Sequence, residues 1–265
     1  MTIRLGAVGY LNARPLVFEL DRSPRFQLRF DVPAECARLL QAGEIELGLI
    51  PSVEYFRNPG YCIVPDLAIA SRGAVASVAI FSSRPMQDVR TLVMDTSSRT
   101  SVALARIFCG RLFGIQPAIE TMAPNLEAML GRGDAALVIG DNALLRSPEA
   151  DRQQGIQKID LGEAWTAMTG LPFVWAVWAG LPGRLTGDDV YRLQEARDRG
   201  EREPDPIARA YFPDSVAHQV TGARYLRDNI KYHLGPDERE ALERFSRYAL
   251  EDGLVPAAGP LRFYS

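Results

Sequence analysis

From residue 3 to residue 180 the chain alternates short apolar runs with segments of helical period. That rhythm admits few architectures besides an α/β fold with largely parallel sheets. Strands are expected at 3–8, 26–30, 44–50, 75–81, 91–95, 118–122, 135–139 and 173–179. Between them, Asp31 would cap a helix with Pro33 in its first turn, an apolar stripe of Cys36, Leu39 and Leu40, and Gly43 as its stop. A short helix would start at 53–56 and another would lie at 126–130. Val102, Ala105, Phe108 and Leu112 recur at helical spacing until Gly114. Beyond Gly180 the pattern changes to charged helical segments at 187–211, 215–229 and 236–252. The expected organisation is two α/β lobes around a cleft with a helical C-terminal tail. Residues 1–87 would open lobe one, 88–172 would form lobe two, and 173–265 would return to lobe one and carry the tail helices.

Charge and composition remove several classes of function. The 30 basic and 33 acidic residues give a net charge of −3, without the basic excess of a nucleic-acid binder. Cys36, Cys62 and Cys109 are odd in number and widely spaced, so they read as buried thiols in a reducing compartment. The only histidines are His218 and His233, which leaves little with which to build a metal site. No run of about 18 uncharged apolar residues appears, and the first residues enter a strand pattern without a leader-like segment. A cytoplasmic protein is therefore expected, with no membrane partner. There is also no GxGxxG, Walker loop, GxSxG or HExxH pattern.

What remains are hydroxyls and amides where strands end. Thr96 to Ser101 follow the strand at 91–95 directly. Ser97, Ser98, Arg99, Thr100 and Ser101 would stand at a helix start, where free N–H groups, hydroxyls and the helix dipole favour an anion. The same residues also read as ordinary caps. Asn12 lies in the turn after the first strand, where open α/β sheets gather ligand contacts, though an Asx-turn would use it equally well. Ser52 has a similar place after the third strand. Ser77 sits inside an apolar strand and needs a partner or a pocket. Gly140 and Asp141 end the strand at 135–139, with Asp141 either facing the cleft or capping residues 142–145. Asp95 ends the strand before the Ser/Thr run. Trp165, Trp175 and Trp178 flank the expected return crossing.

Five strings then carry a resemblance: GYLNARPL at 9–16, GLIPSVEY at 48–55, SRTS at 98–101, IGD at 139–141 and TGLPFVWA at 169–176. In this order they resemble the chorismate dehydratases of the futalosine route to menaquinone. The resemblance implies a periplasmic-binding-protein-like (type II) fold and removal of water from chorismate, the small-molecule partner, to give 3-[(1-carboxyvinyl)oxy]benzoate. It also implies no cofactor and no metal. By the same resemblance Asn12 and Ser77 stand against the substrate as catalytic residues. From their places at strand ends and the helix start, Ser52, Ser97, Ser98, Arg99, Thr100, Ser101, Gly140 and Asp141 are expected to bind it. The related 1,4-dihydroxy-6-naphthoate synthases open on a Pro-Cys-Pro-Asn-like motif and rely on a histidine. This chain has LNARP at 11–15 and no histidine before residue 218. A non-catalytic solute-binding protein with the same anion-holding cleft is the other reading.

Overall fold

The computed structural model describes residues 2–265. In the first lobe, β1 (Ile3–Val8), β2 (Phe26–Asp31), α1 (Pro33–Gln41), β3 (Leu47–Pro51), α2 (Ser52–Arg57) and β4 (Cys62–Ser71) follow one another. The second lobe begins with β5 (Val78–Ser82), β6 (Thr91–Asp95), α3 (Arg99–Arg111) and β7 (Ala118–Met122). It continues with α4 (Leu126–Leu130), β8 (Ala135–Ile139), α5 (Asp141–Leu144), α6 (Pro148–Gln153), β9 (Gln157–Asp160) and α7 (Leu161–Thr169). β10 (Phe173–Gly180) returns to the first sheet. The tail holds α8 (Gly187–Glu201), α9 (Pro204–Tyr211), α10 (Val216–Asp228) and α11 (Pro236–Glu251).

The two sheets share one plan. Their orders are β2-β1-β3-β10-β4 and β7-β6-β8-β5-β9. In each, three parallel strands are followed by one reversed strand that arrives from the other lobe: β10 runs antiparallel to β3 and β4, and β5 runs antiparallel to β8 and β9. Parallel strands end on the same side, so the loops after β1, β3, β6 and β8 gather at one edge of each sheet, the usual place for a ligand.

The expected boundary at residue 87 needs correcting. β5 belongs to the second sheet, so the first crossing occupies residues 72–77. The slip has a physical cause. β4 carries Pro65 and the positive-φ residue Asp66 in its middle, which hides it as a strand, and the break before β5 is made by Gly73 (φ 81°) and Ala76 (φ 63°). Asp31 also does not cap α1: Val32 holds that position without a side-chain bond, and Pro33 supplies the first turn. The segment at 187–211 is two helices, broken ahead of Pro204, because proline disfavours helical backbone in the residue before it.

The tail packs across both lobes. Trp165 of α7 is fully buried and meets Phe173 of β10, Phe245 and Tyr248 of α11 edge-on at 5.1, 6.4 and 6.0 Å. Burying a ring of that size contributes roughly 1.5–3 kcal/mol or more, so α11 is held by core contacts and not only by charge. Arg111, at the end of α3, adds ion pairs to Glu251 and Asp252 at 2.6 and 3.1 Å. Among the described residues no helix is long and apolar enough to cross a membrane. The three cysteines are free and buried.

Candidate active site

Between the sheets lies a narrow cleft lined by residues of both lobes. Asn12, Ser77, Ser98, Thr100, Ser101 and Gly140 line it, together with Tyr10, Trp175 and apolar residues of both lobes. Among the lining residues there is no Asp, Glu, His, Lys or Arg. Tyr10 is the one titratable side chain facing the space, and burial pushes its phenol upward, outweighing the bond to Ser97.

The N-terminus of α3 faces this space because its own serines build it. Ser98 is the cap: its Oγ accepts from Ser101 N at 3.3 Å and lies 2.8 Å from Ser101 Oγ, donating to it. Ser97 donates from both N and Oγ to Asp95 Oδ1, at 2.8 and 2.6 Å. Thr100 Oγ1 reaches into the other lobe, accepting from Val53 N at 3.2 Å with Ser52 Oγ at 3.4 Å. Two helix starts, α2 and α3, therefore meet at one threonine, and their dipoles add to a positive potential without any cation.

Four expected site residues stand outside the lining. Ser52 gives its hydroxyl hydrogen to Val174 O at 2.8 Å. Ser97 is engaged with Asp95 and meets the Tyr10 hydroxyl at 3.4 Å. Arg99 is drawn to the buried Glu54 at 2.9 Å, which also pairs with Arg57 at 2.6 Å. Asp141 accepts from the Tyr211 hydroxyl of α9 at 2.6 Å. Burial pushes the Asp141 carboxyl up, while Tyr211 and the Arg14 charge pull it back. All but Ser52 join groups from opposite lobes, and Ser52 touches Thr100 of the other lobe. They tie the walls of the cleft together around the ligand space.

Ser77 is positioned by a strained turn. Ser77 N donates to Val75 O at 2.8 Å around Ala76 at φ 63°, a γ-turn of the rare positive-φ kind. Asp160 holds that turn, accepting from Val75 N and Ala76 N at 2.9 and 2.6 Å while also capping α7. Ser77 O accepts from Gly140 N at 2.8 Å, which locks the start of β5 to the end of β8. The Ser77 hydroxyl meets the buried Tyr225 hydroxyl of α10 at 2.7 Å.

Asn12 sits in a short helical turn at Leu11–Ala13, with its Oδ1 buried and without a hydrogen-bond partner. Gly140 has φ 65° and ψ −146°, a region open essentially to glycine, and a Cβ there would lie 2.9 Å from the Tyr10 ring.

The tyrosines were not legible as site residues. Tyr10 lies within the first matching string, but Tyr211 and Tyr225 come from tail helices with no local motif. His218 and His233 are exposed: His218 meets the Phe212 ring, and His233 sits beside Asp66 and Glu201. Trp175 lines the cleft and donates to Ser71 Oγ at 3.1 Å, whereas Trp165 donates to Pro172 O at 2.9 Å and Trp178 is wholly core. Among the described residues no group of His, Cys, Asp or Glu could hold a metal ion.

Comparison with known proteins adds sequence and fold relatives. The sequence model of a family described as menaquinone biosynthesis matches residues 3–251. A chorismate dehydratase of Thermus thermophilus is 32% identical over 259 residues, spanning 91% of this chain and 93% of that protein. A chorismate dehydratase of Campylobacter jejuni is 25% identical over 251 residues, spanning 91% and 94%. Among solved structures, a protein of Archaeoglobus fulgidus superposes with a TM-score of 0.75 at 14% identity, over 96% of this chain and 98% of that one. The alkanesulfonate-binding protein of Xanthomonas axonopodis, bound to MOPS, gives 0.69 at 14% identity over 97% and 95%. These two share the two-lobed fold of periplasmic solute-binding proteins.

Proposed function

The chain belongs to the menaquinone-biosynthesis family, and from that premise we propose that it is a chorismate dehydratase, a carbon–oxygen hydro-lyase. It would take chorismate to 3-[(1-carboxyvinyl)oxy]benzoate and water. The observation that carries the mechanism is a cleft lined by hydroxyls, one amide and a helix start, with no charged side chain or imidazole.

Chorismate is a dianion at neutral pH, and its ring is one dehydration short of aromatic. The hydrogen on the ring carbon that bears the enolpyruvyl ether is activated through the adjacent double bond by the ring carboxylate. Removing it sends the C–H electron pair toward that carboxylate. The neighbouring C–O bond then breaks, the ring becomes aromatic, and the departing oxygen leaves with a proton as water. One hydrogen and one hydroxyl are lost and no electrons are exchanged, so the reading calls for no redox cofactor.

The protein's part is electrostatic and positional. The α3 start, with Ser98, Thr100 and Ser101, would hold the carboxylate on which charge builds, as preorganised donors in a dry cleft do best. Asn12 and Ser77 would bracket the reacting ring. A general base works best with a pKa near the operating pH, and no lining side chain offers one, since burial raises Tyr10 further. A carboxylate of the substrate itself is therefore the proton acceptor in this proposal, and the proton it takes ends on the departing oxygen. Asp95 and Asp141, the protein alternatives, stand outside the lining. The exposed histidines offer nothing to the histidine-dependent chemistry of the naphthoate synthases. A biosynthetic enzyme of this kind would act in the cytoplasm on a free small molecule.

Incubation with chorismate followed by proton NMR tests the reading. The ring olefin signals should give way to a meta-substituted aromatic pattern while the enolpyruvyl methylene signals persist. Unchanged chorismate at stoichiometric protein would refute it.

A further inference from the structure

Ser77 Oγ has Tyr225 as its hydrogen-bond partner, at 2.7 Å, and the two residues are only 2% and 3% exposed. A serine hydroxyl has one hydrogen, so the direction of that bond decides whether Ser77 can donate to anything in the cleft. A buried hydroxyl needs an acceptor for its hydrogen. Burial raises the Tyr225 phenol beyond its ordinary value and keeps it protonated. Its single hydrogen then has Ser77 Oγ as acceptor.

We propose that Tyr225 is a positioning residue: it donates to Ser77 and so leaves the Ser77 hydrogen directed at the ligand, in the cleft that the unpartnered Asn12 Oδ1 also serves. Both residues line the cleft. Asn12 Oδ1 is the buried acceptor that finds no partner in the protein. A free donor and a free acceptor lining one cleft match one kind of ligand group, a hydroxyl, which gives one hydrogen and accepts another. The inference rests on the dehydratase reading, in which that group is the departing ring hydroxyl. Asn12 would take its hydrogen bond and Ser77 would donate to its oxygen as the C–O bond lengthens. Tyr225 is not among the residues lining the cleft, and no proton leaves it.

The test is a double-mutant cycle on chorismate turnover with wild-type, Ser77→Ala, Tyr225→Phe and doubly substituted protein, each checked by thermal melt. Removing one phenol oxygen keeps the ring packed, so the Tyr225→Phe protein should fold. Its kcat should fall roughly 10- to 100-fold, the scale of a misplaced reacting group, with KM within about twofold. The double variant should be no slower than Ser77→Ala, because Tyr225 acts only through Ser77. Turnover by Tyr225→Phe within twofold of wild type would overturn the role. So would losses that multiply in the double variant, the outcome of a merely structural contribution. If wild type leaves chorismate untouched, the dehydratase reading fails and this role fails with it. Active wild type with an unaffected Tyr225→Phe variant defeats the positioning role alone.

Discussion

Tyr211 in the tail and Asp141 in the second lobe are joined by a 2.6 Å hydrogen bond. The bond ties the tail to the second lobe, since α9 belongs to the chain that returned to the first sheet. Tyr211 also reaches Gly9 O at 3.2 Å, in the loop that carries Tyr10 and Asn12. Hydrogen bonds to a charged group contribute about 1.5–3 kcal/mol. Tyr211→Phe should therefore raise the KM for chorismate by roughly tenfold and alter kcat less. A steady-state titration reads both, and an unchanged KM would remove Tyr211 from substrate binding.

Gly140 meets two independent demands, backbone conformation and space under the Tyr10 ring. Gly140→Ala places a side chain at φ 65°, ψ −146° and drives its Cβ to 2.9 Å from that ring. The conformation alone costs about 1–3 kcal/mol. Urea unfolding should show a loss of that size, and turnover should fall because Tyr10 is displaced from the cleft. Wild-type stability in this variant would contradict the geometry.

Much of the scaffold was legible in the sequence because its strands are apolar and bounded by clear breaks. β1, β6, β7 and β8 and the starts of α3 and α11 fall where periodicity puts them. The misses share a cause. β4 is interrupted by Pro65 and Asp66, and β9 is a short, polar edge strand, QKID, with no alternation to find. The lining of the candidate cleft was legible where it is local, at Asn12, Ser77 and the start of α3. Tyr211 and Tyr225 reach it only through tertiary packing, and Asp160 controls the turn before Ser77 from more than eighty positions away. No local pattern carries such information.

Thr100 and the pair Asn12 and Ser77 should separate in kinetics. Thr100 Oγ1 joins the two helix starts, and Thr100 lines the ligand space. Thr100→Ala should raise the half-saturating chorismate concentration by about 10-fold or more, as loss of a charge-assisted bond does. Ser77→Ala and Asn12→Ala should instead lower kcat far more than they weaken binding, since bonds that strengthen in the transition state act on the chemical step. The reverse split would exchange the two roles.

The pH profile is set by the lining. Tyr10 is the one titratable side chain there, and burial raises its phenol, so it stays protonated beyond its ordinary range. The carboxylates of chorismate are already ionised at neutral pH. Turnover at saturating substrate should be level from about pH 6 to about pH 9. His218→Ala and His233→Ala should leave it nearly intact. A bell centred near pH 7, or a large loss in either histidine variant with the fold preserved, would restore a protein acid or base.

The absence of a protein base from the cleft is tested most directly by turnover of the Asp95→Asn/Asp141→Asn double variant at saturating chorismate. These are the carboxylates nearest the site by sequence position, and both stand outside its lining. The two introduced amides would keep an acceptor oxygen for Ser97 and Tyr211, so a thermal melt should stay close to wild type. Loss of a true general base costs about 10²- to 10⁴-fold. A kcat within about tenfold of wild type is predicted, with any larger effect confined to KM. A drop of a hundredfold or more in kcat, in protein that melts normally, would contradict the substrate-assisted mechanism.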